Sequence, residues 1–164
     1  MNTAEEFSID TPAGILHISA DEDGVTAVSF ADHHLEHQGT NNAHAQQCVL
    51  QLQEYFSGAR HEFDFAFHQN GTEFQQRVWA ELCRIPFGET ISYHELAVRL
   101  GDPKCIRAAG TANGKNQLAI IVPCHRVIGS DGSLTGYAGG LDKKEFLLKL
   151  EGVRLPGKQS VMEF

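Results

Sequence analysis

The chain has 164 residues, 41% of them hydrophobic and 21% charged, which is the composition of an ordinary soluble globular protein with one domain or two small ones. No apolar run approaches the length of a membrane span, and the acidic segment Met1–Asp10 lacks the positive charge of a signal peptide, so we expect a cytoplasmic protein. The four cysteines form no C-x-x-C pair, which argues against a zinc ribbon and a disulfide scaffold. Cys48 and Cys83 lie on apolar helical faces and are expected in the core.

The net charge of −8 is divided unevenly along the chain. Residues 1–72 contain eleven acidic side chains and one basic one, whereas residues 73–164 contain twelve basic and ten acidic ones. Between Pro103 and Ser130 there are four basic residues and no acidic residue. A face of this kind can attract an anionic partner, although a merely solvated surface would show the same pattern.

The first part of the chain is predicted to be an α/β unit. Short runs separated by turn residues predict three strands, at Glu5–Asp10, Ile15–Ala20 and Val25–Phe30. A polar loop with several histidines follows, and because its spacing matches no closed ligand pattern we expect no metal site. Helical spacing predicts a helix over Ala43–Ser57, alternation predicts a strand over His61–Phe67, and the turn at residues 69–71 separates predicted domains 1–71 and 72–164.

The second part changes to a helical period. Capping-box pairs predict three helix starts, at Thr72 with Gln75, Ser92 with Glu95, and Asp142 with Glu145. Asp102 followed by Pro103 predicts a further start, and Gly101 lies in the tight turn before it. Two short helices joined by such a turn predict a helix-turn-helix. The helix near the C-terminus directs Phe146, Leu147 and Leu150 to the core, and a loosely ordered tail is expected from Val153.

The second helix of this pair is rich in small residues. Lys104 and Arg107 are predicted to project from it, while Ala108, Ala109 and Gly110 cannot read bases but permit a close approach of the backbone to a narrow groove. A helix–helix packing seam would use the same small residues equally well.

The stretch Leu118–Arg126, L-A-I-I-V-P-C-H-R, carries the chemistry. Its β-branched residues predict a buried strand over Leu118–Val122 that ends at Pro123 and holds Cys124 at the mouth of a core. His125 and Arg126 are expected to supply positive potential that favours the thiolate. An unreactive buried cysteine is the alternative.

Several separated motifs resemble the O6-alkylguanine-DNA alkyltransferases. They occur in one order between Phe74 and Gly152, and they are I-S-Y-H-E-L-A, I-R-A-A-G, N-G-K-N, P-C-H-R-V-I-G and G-Y-A-G-G, followed by a helix that ends at Glu151-Gly152. The resemblance implies a ribonuclease-H-like N-terminal domain, so that the expected fold is an α/β domain followed by a mostly α domain with a winged helix-turn-helix. Some members of the family bind zinc in the first domain, and no residue pattern here supports that.

The family's site residues carry over to matching positions. By resemblance Cys124 is the alkyl acceptor, and His125, through a water, and Glu151 remove its proton. Tyr93 assists base flipping and contacts the guanine, and Asn116 braces the turn near the cysteine. Further expected roles are filling of the vacated base stack (Arg107), other DNA contacts (Lys104, Ala108, Ala109, Gly110, Arg126) and lining of the substrate pocket (Tyr137, Ala138, Gly139, Val127). At Ala138 some members have Ser, so a hydroxyl donor is missing here.

The function implied by the resemblance is one irreversible transfer of an alkyl group to Cys124 from O6-alkylguanine, and also from O4-alkylthymine, in duplex DNA. We expect a monomer without a cofactor. Three alternatives stay open, namely a cysteine hydrolase, a winged-helix regulator and a non-catalytic damage sensor. The hydrolase needs a facing Cys–His pair, which adjacent residues in an extended chain form poorly. A winged-helix regulator would not explain the P-C-H-R motif. A non-catalytic damage sensor has another residue in place of the cysteine, whereas this chain has Cys124.

Overall fold

The structure is a computed structural model that describes residues 5–155. It contains two compact units. One comprises the chain up to Asn70 together with Gln117–Ile121, and the other comprises Gly71–Asn116 together with the chain from Val122. The return of residues 117–121 to the first unit was not expected from the sequence, and the domain limits 1–71 and 72–164 stay a prediction.

The first unit is an antiparallel sheet with one helix packed on it. The strands are β1 (Glu5–Thr11), β2 (Gly14–Asp21) and β3 (Gly24–Ala31), in the order β1-β2-β3, so the three predicted strands are confirmed. Helix α1 (Ala43–Phe56) begins where the Asn42 side chain accepts a hydrogen bond from the Ala45 amide, and it is the predicted helix. The core of the unit consists of fully or almost fully buried side chains from both layers, including Phe7, Leu16, Ile18, Val28, Cys48, Leu52 and Tyr55.

Two irregular segments cover the outer edge of β3. Phe67 forms a single parallel bridge with Val25, and Leu118 forms another with Val28. The predicted strand over His61–Phe67 is therefore wrong beyond that one bridge. Its alternating aromatic rings pack edge to face, with centroid distances of 6.1 Å between Phe63 and Phe65 and 5.9 Å between Phe65 and Phe67. The alternation thus serves ring packing rather than strand pairing.

The predicted strand over Leu118–Val122 is also wrong, although its burial was correctly anticipated. After the bridge at Leu118 the chain turns, and Ile120 has a φ of +72°. A β-branched residue in this left-handed region is a real exception, and it ends any extended conformation. Ile120 is 1% exposed, so the turn is held by burial.

The second unit begins with three helices in the predicted order. Helix α2 (Glu73–Leu82) starts with the complete capping box of Thr72 and Gln75. The short strand β4 (Ile91–Ser92) leads into helix α3 (Tyr93–Arg99), where Ser92 caps the Glu95 amide. A 3₁₀ helix (Pro103–Cys105), capped by Asp102, continues into helix α4 (Ile106–Gly114). The indole N–H of Trp79 donates to the Ala112 carbonyl at 3.0 Å and joins α2 to α4.

The segment from β5 to the end of α5 differs from the sequence-based predictions in two respects, the start of α5 and the burial of Phe146. Strand β5 (Val127–Ile128) pairs with β4 in parallel, and helix α5 (Leu141–Leu150) follows a long loop. The predicted capping box of Asp142 and Glu145 is wrong, because the N-cap of α5 is Gly140, two residues earlier, which offers no side-chain cap. Phe146 is 36% exposed rather than in the core, while Leu147 and Leu148 are buried.

Two smaller expectations also need correction. Cys83 is exposed, because it follows the last residue of α2 and no longer shares its buried face. Leu155, in the segment expected to be loosely ordered, is 4% exposed and packs with Ile128 and Leu148. The remainder of that predicted tail, residues 156–164, lies outside the described residues. Among residues 5–155, no helix has the length and apolar character needed to cross a lipid bilayer.

Candidate active site

Cys124 is the first residue of a 3₁₀ helix (Cys124–Arg126) that follows Pro123. Only 7% of its surface is exposed. The Asn116 side-chain amide donates to the Val122 carbonyl at 2.8 Å and to the Cys124 sulfur at 3.4 Å. Asn116 therefore holds both the turn before the cysteine and the thiol itself.

His125 and Glu151 form a buried pair beside the cysteine. Nε2 of His125 and Oε2 of Glu151 are 2.8 Å apart, and both side chains are fully buried. An ionised carboxylate only accepts hydrogen bonds, so Nε2 carries the proton and Nδ1 carries the lone pair. Within the described residues, Nδ1 has no hydrogen-bond partner. The ring therefore presents an unused proton acceptor in the interior.

Arg126 is a structural partner of Glu151 rather than a surface cation. Its guanidinium donates to both carboxylate oxygens of Glu151, at 2.8 and 3.0 Å, and to the Ile85 carbonyl at 2.7 Å. The residue is 6% exposed. The prediction that Arg126 contacts DNA is therefore wrong, because the side chain is buried and its charge is paired with Glu151 inside the unit.

The turn at Gly88 completes the surroundings of the carboxylate. Its amide donates to Oε1 of Glu151 at 3.2 Å. The φ of Gly88 is +83°, and a Cβ there would lie 3.0 Å from the Glu151 carbonyl oxygen, so a side chain would be both strained and crowded. Glu151 thus accepts hydrogen bonds from three residues in two separate segments of the unit.

These contacts set the protonation states. Burial alone would raise the pKa of Glu151, but the hydrogen bonds and charges of His125 and Arg126 outweigh it and hold that pKa well below its usual range. Burial lowers the pKa of His125, against the opposing pull of Glu151, so the ring is neutral. Burial likewise raises the pKa of Cys124 above its usual value. The resting sulfur is therefore a thiol that needs a base, and His125 and Arg126 do not supply the expected positive potential.

A buried cation that the sequence analysis missed lies in the same site. Lys144 on α5 has 0% of its surface exposed, and its Nζ donates to the Thr135 carbonyl at 2.8 Å. Its charge lowers the pKa of Cys124 against the larger effect of burial. The signal was the helical period, since Lys144 shares a face with Leu147, Leu148 and Glu151 at i, i+3, i+4 and i+7.

Asn113 was missed as well. It is 4% exposed, and its side-chain amide donates to the Cys124 carbonyl at 3.5 Å. The sequence shows it as the first residue of the N-G-K-N motif at the end of α4, where Asn and Gly are also common for reasons unrelated to a site.

The residues predicted to contact DNA separate into two groups. Lys104, Arg107 and Ala108 are exposed, and Gly110 is half-buried. Ala109 is 0% exposed and packs inside the unit, so the prediction that it contacts DNA is wrong. On one turn of helix the inward and outward positions alternate too closely for residue type alone to separate them.

The predicted pocket residues differ in their burial. The phenol of Tyr137 has its pKa raised well above the usual value by burial first and then by Cys124 and Glu151. Tyr93, at the start of α3, donates from its hydroxyl to the Thr135 carbonyl at 3.2 Å. Val127 is fully buried in β5, Gly139 is half-buried and Ala138 is exposed.

Comparison with known families matches both parts of the chain. Residues 73–153 match the DNA binding domain of 6-O-methylguanine DNA methyltransferase, and residues 7–69 match the ribonuclease-like domain of the same family. The architecture is thus an N-terminal ribonuclease-like α/β domain with a helical DNA-binding domain.

Individual relatives agree over nearly the full length. A methylated-DNA–protein-cysteine methyltransferase of Methanosarcina barkeri is 47% identical over 148 residues, which are 87% of this chain and 94% of that protein. The crystal structure of a Mycobacterium tuberculosis O6-methylguanine methyltransferase has a TM-score of 0.82 and 42% identity, with 98% of this chain and 100% of that chain covered. The crystal structure of Mycobacterium tuberculosis OGT in complex with DNA has a TM-score of 0.80 and 43% identity, with 95% of this chain and 98% of that chain covered. The chain belongs to the 6-O-methylguanine DNA methyltransferase family.

Proposed function

We propose that this protein repairs DNA by moving the alkyl group of O6-alkylguanine onto Cys124, once per molecule. The observation that carries the proposal is the buried series Cys124, His125 and Glu151, in which the histidine is held neutral with Nδ1 free to accept a proton. Displacement at an alkyl carbon needs a soft, strong nucleophile, and thiolate is the best that a protein offers. Family membership over both domains supports the same reaction.

The reaction balances without a cofactor. Nδ1 of His125, through a water, takes the proton of the Cys124 thiol, and Glu151 stabilises the imidazolium that forms. The sulfur then bonds to the alkyl carbon while the bond from that carbon to O6 breaks. Its electron pair goes to guanine, which takes up one proton. The products are S-alkylcysteine and guanine, and because the thioether is inert the protein acts once.

DNA binding is assigned to the helical domain. We propose that α3 and α4 act as a winged helix-turn-helix, with the exposed Lys104 and Arg107 facing the duplex and Ala108 and Gly110 permitting close approach. A base inside a duplex is out of reach, so the target is flipped out, Arg107 fills the gap and Tyr93 assists. A cytoplasmic monomer acting on duplex DNA is part of the same proposal.

The flipped base is proposed to enter a pocket lined by Tyr137, Ala138, Gly139 and Val127. Burial first, and then the charges of Cys124 and Glu151, raise the pKa of the Tyr137 phenol, which supports this assignment. O4-alkylthymine presents an alkyl carbon on an equivalent exocyclic oxygen and is proposed as a second substrate. The functional domain limits are proposed to be 1–71 and 72–164.

The test is a single-turnover assay with labelled O6-methylguanine in a duplex. Cys124→Ser is expected to lose methyl transfer and to retain DNA binding, because affinity comes largely from phosphate contacts made elsewhere. Cys105→Ser removes a half-buried thiol from the same unit and should transfer at the wild-type rate. Transfer by Cys124→Ser, or its loss in Cys105→Ser alone, would contradict the assignment.

A further inference from the structure

The dipeptide Asn-Gly occurs twice in the chain, in two different environments. Asn70-Gly71 lies where the first unit ends and the second begins, and Asn113-Gly114 lies at the end of helix α4. A side-chain amide followed by glycine is prone to lose ammonia, because glycine has no Cβ to hinder attack by its own backbone nitrogen. Since both sites have the same two residues, the fold decides which of them can react.

Asn70 and Gly71 are both exposed, and they lie in an irregular segment between the end of the first unit and helix α2. Among residues 5–155, neither the side-chain amide of Asn70 nor the backbone N–H of Gly71 takes part in a hydrogen bond. The attacking nitrogen and the carbon that it attacks are therefore both accessible to water and unrestrained by partners. The two groups can meet without breaking a hydrogen bond of the fold.

Packing within the second unit requires glycine at position 71. A Cβ there would lie 2.5 and 2.6 Å from two ring carbons of Trp79 and 2.8 Å from Oε1 of Gln75. Gln75 belongs to the capping box that begins α2, and the Trp79 indole is fixed by its hydrogen bond to the Ala112 carbonyl. The residue that best permits the reaction at Asn70 is thus the one that the fold imposes.

The second dipeptide is protected by its helix. Asn113 is 4% exposed, and its side-chain amide donates to the Cys124 carbonyl at 3.5 Å. Gly114 is the last residue of α4, where backbone amides donate along the helix. Its nitrogen can reach the Asn113 side chain only after the end of α4 has opened, and opening of a packed helix costs free energy.

We propose that Asn70 is a site of spontaneous modification, at which the folded protein acquires aspartate or isoaspartate while Asn113 stays intact. The Gly71 nitrogen loses its proton and bonds to Cγ of Asn70, and the bond from Cγ to the side-chain nitrogen breaks with release of ammonia. Water then opens the cyclic imide at either of its two carbonyl carbons. One opening gives aspartate, and the other gives isoaspartate, which adds one carbon to the backbone between the units.

The test compares the two sites in one protein. The wild type is incubated in mildly alkaline buffer and digested at acidic pH, and mass spectrometry quantifies the peptides in which OH has replaced the side-chain NH₂. Fragmentation separates aspartate from isoaspartate. We expect Asn70 to react at least about tenfold faster than Asn113, because Asn113 reacts only in the fraction of molecules in which α4 has opened.

Two controls separate the fold from the local sequence. In concentrated urea the two sites should react at similar rates, since the protection of Asn113 is lost with the helix. Asn70→Gln has a side chain one carbon longer, which closes a ring less readily, and it should develop no additional negative charge on anion exchange during the same incubation. Thermal unfolding of this variant verifies that it is folded.

The outcomes do not depend on alkyl transfer or on DNA. Similar rates at Asn70 and Asn113 in the folded protein, or an unmodified Asn70, would overturn the proposal. A difference between the sites that persists in urea would also overturn it, because the neighbouring sequence and not the fold would then set the rates.

Discussion

At the scale of single residues, Glu151 organises the site through one carboxylate. It accepts from His125, from the Arg126 guanidinium and from the Gly88 amide. Arg126 neutralises the charge and fixes its orientation, so Nε2 of His125 keeps its proton and Nδ1 remains the acceptor. In the proposed mechanism the P-C-H-R motif thus contains one reacting residue, one base and one residue that holds the carboxylate behind the base.

Glu151→Gln is expected to slow methyl transfer far more than it weakens DNA binding. The amide can still accept from Nε2 of His125, but it cannot stabilise the imidazolium that forms during transfer. General-base assistance typically contributes about 10²–10⁴-fold in rate, and we expect a loss in that range. Single-turnover rates and binding titrations with the same duplex measure the two effects. Equal losses in both would indicate a structural role only.

His125 also makes a prediction about stability and pH. Because burial lowers its pKa in the folded state, the unfolded chain binds a proton below the ordinary value of 6.5 while the folded one does not. The stability associated with His125 is therefore present above that pH and is lost as pH falls, by up to about 1.4 kcal/mol per pH unit. Urea unfolding of the wild type and of His125→Gln at pH 7.5 and 5.5 measures how much free energy of unfolding each protein loses as the pH falls.

The expected result is that the wild type loses more stability than His125→Gln between those two pH values. If the wild type instead gains stability relative to His125→Gln when the pH is lowered, His125 is protonated in a buried ion pair with Glu151. A protonated ring cannot accept the proton of Cys124, so this outcome would remove the proposed base.

At the scale of elements, the helix starts were the most predictable features. The capping box at Thr72 and the caps at Ser92 and Asp102 are local, since each bond joins residues two or three positions apart. Strand pairing is not local. Alternation at Phe63–Phe67 and the β-branched run at Leu118–Val122 predict strands. In the structure the rings of the first segment pack edge to face, and the chain turns at Ile120 in the second.

Thr72→Ala is expected to lower the free energy of unfolding by about 1 kcal/mol, the typical cost of a lost N-cap. The Thr72 hydroxyl accepts from the Gln75 amide at 3.1 Å, and an alanine leaves that amide to water. Thr72→Ser keeps the hydroxyl and should restore most of the stability. Urea denaturation of the three proteins gives the comparison, and equal loss in the serine variant would point to the methyl group rather than the cap.

The exposed face around α4 makes a prediction about DNA. Arg107→Ala should reduce the rate of transfer from a duplex more than from free O6-methylguanine, since only a duplex has a stack to fill when a base leaves it. Both substrates are measured in single-turnover assays. An equal reduction on both would assign Arg107 to the structure of the unit.

Lys104→Ala serves as the matched variant on the same face. It is expected to weaken binding to all duplexes alike and to reduce the salt slope by about one, as for a phosphate contact. Its transfer rate at saturating DNA should stay near that of the wild type. A sequence-dependent loss of binding would contradict a phosphate contact.

At the scale of the whole molecule, the sequence motifs identified the reacting residue better than they identified its surroundings. Cys124 was found because P-C-H-R-V-I-G lies in order with several other motifs. Lys144 was missed because a lysine on a helix is usually solvated, and its burial depends on the loop that supplies the Thr135 carbonyl. The inward turn of Arg126 likewise depends on Glu151, which is 25 residues away in the chain.

The central claim is one alkyl group on one residue per molecule. The most direct measurement is intact mass after mixing the protein with a tenfold excess of an O6-methylguanine duplex, followed by mapping of the modified peptide. We predict a single methyl group in place of one hydrogen, located on Cys124, with repaired guanine equal in amount to the protein. Repair of several guanines per molecule, or a methyl group on another residue, would contradict the account.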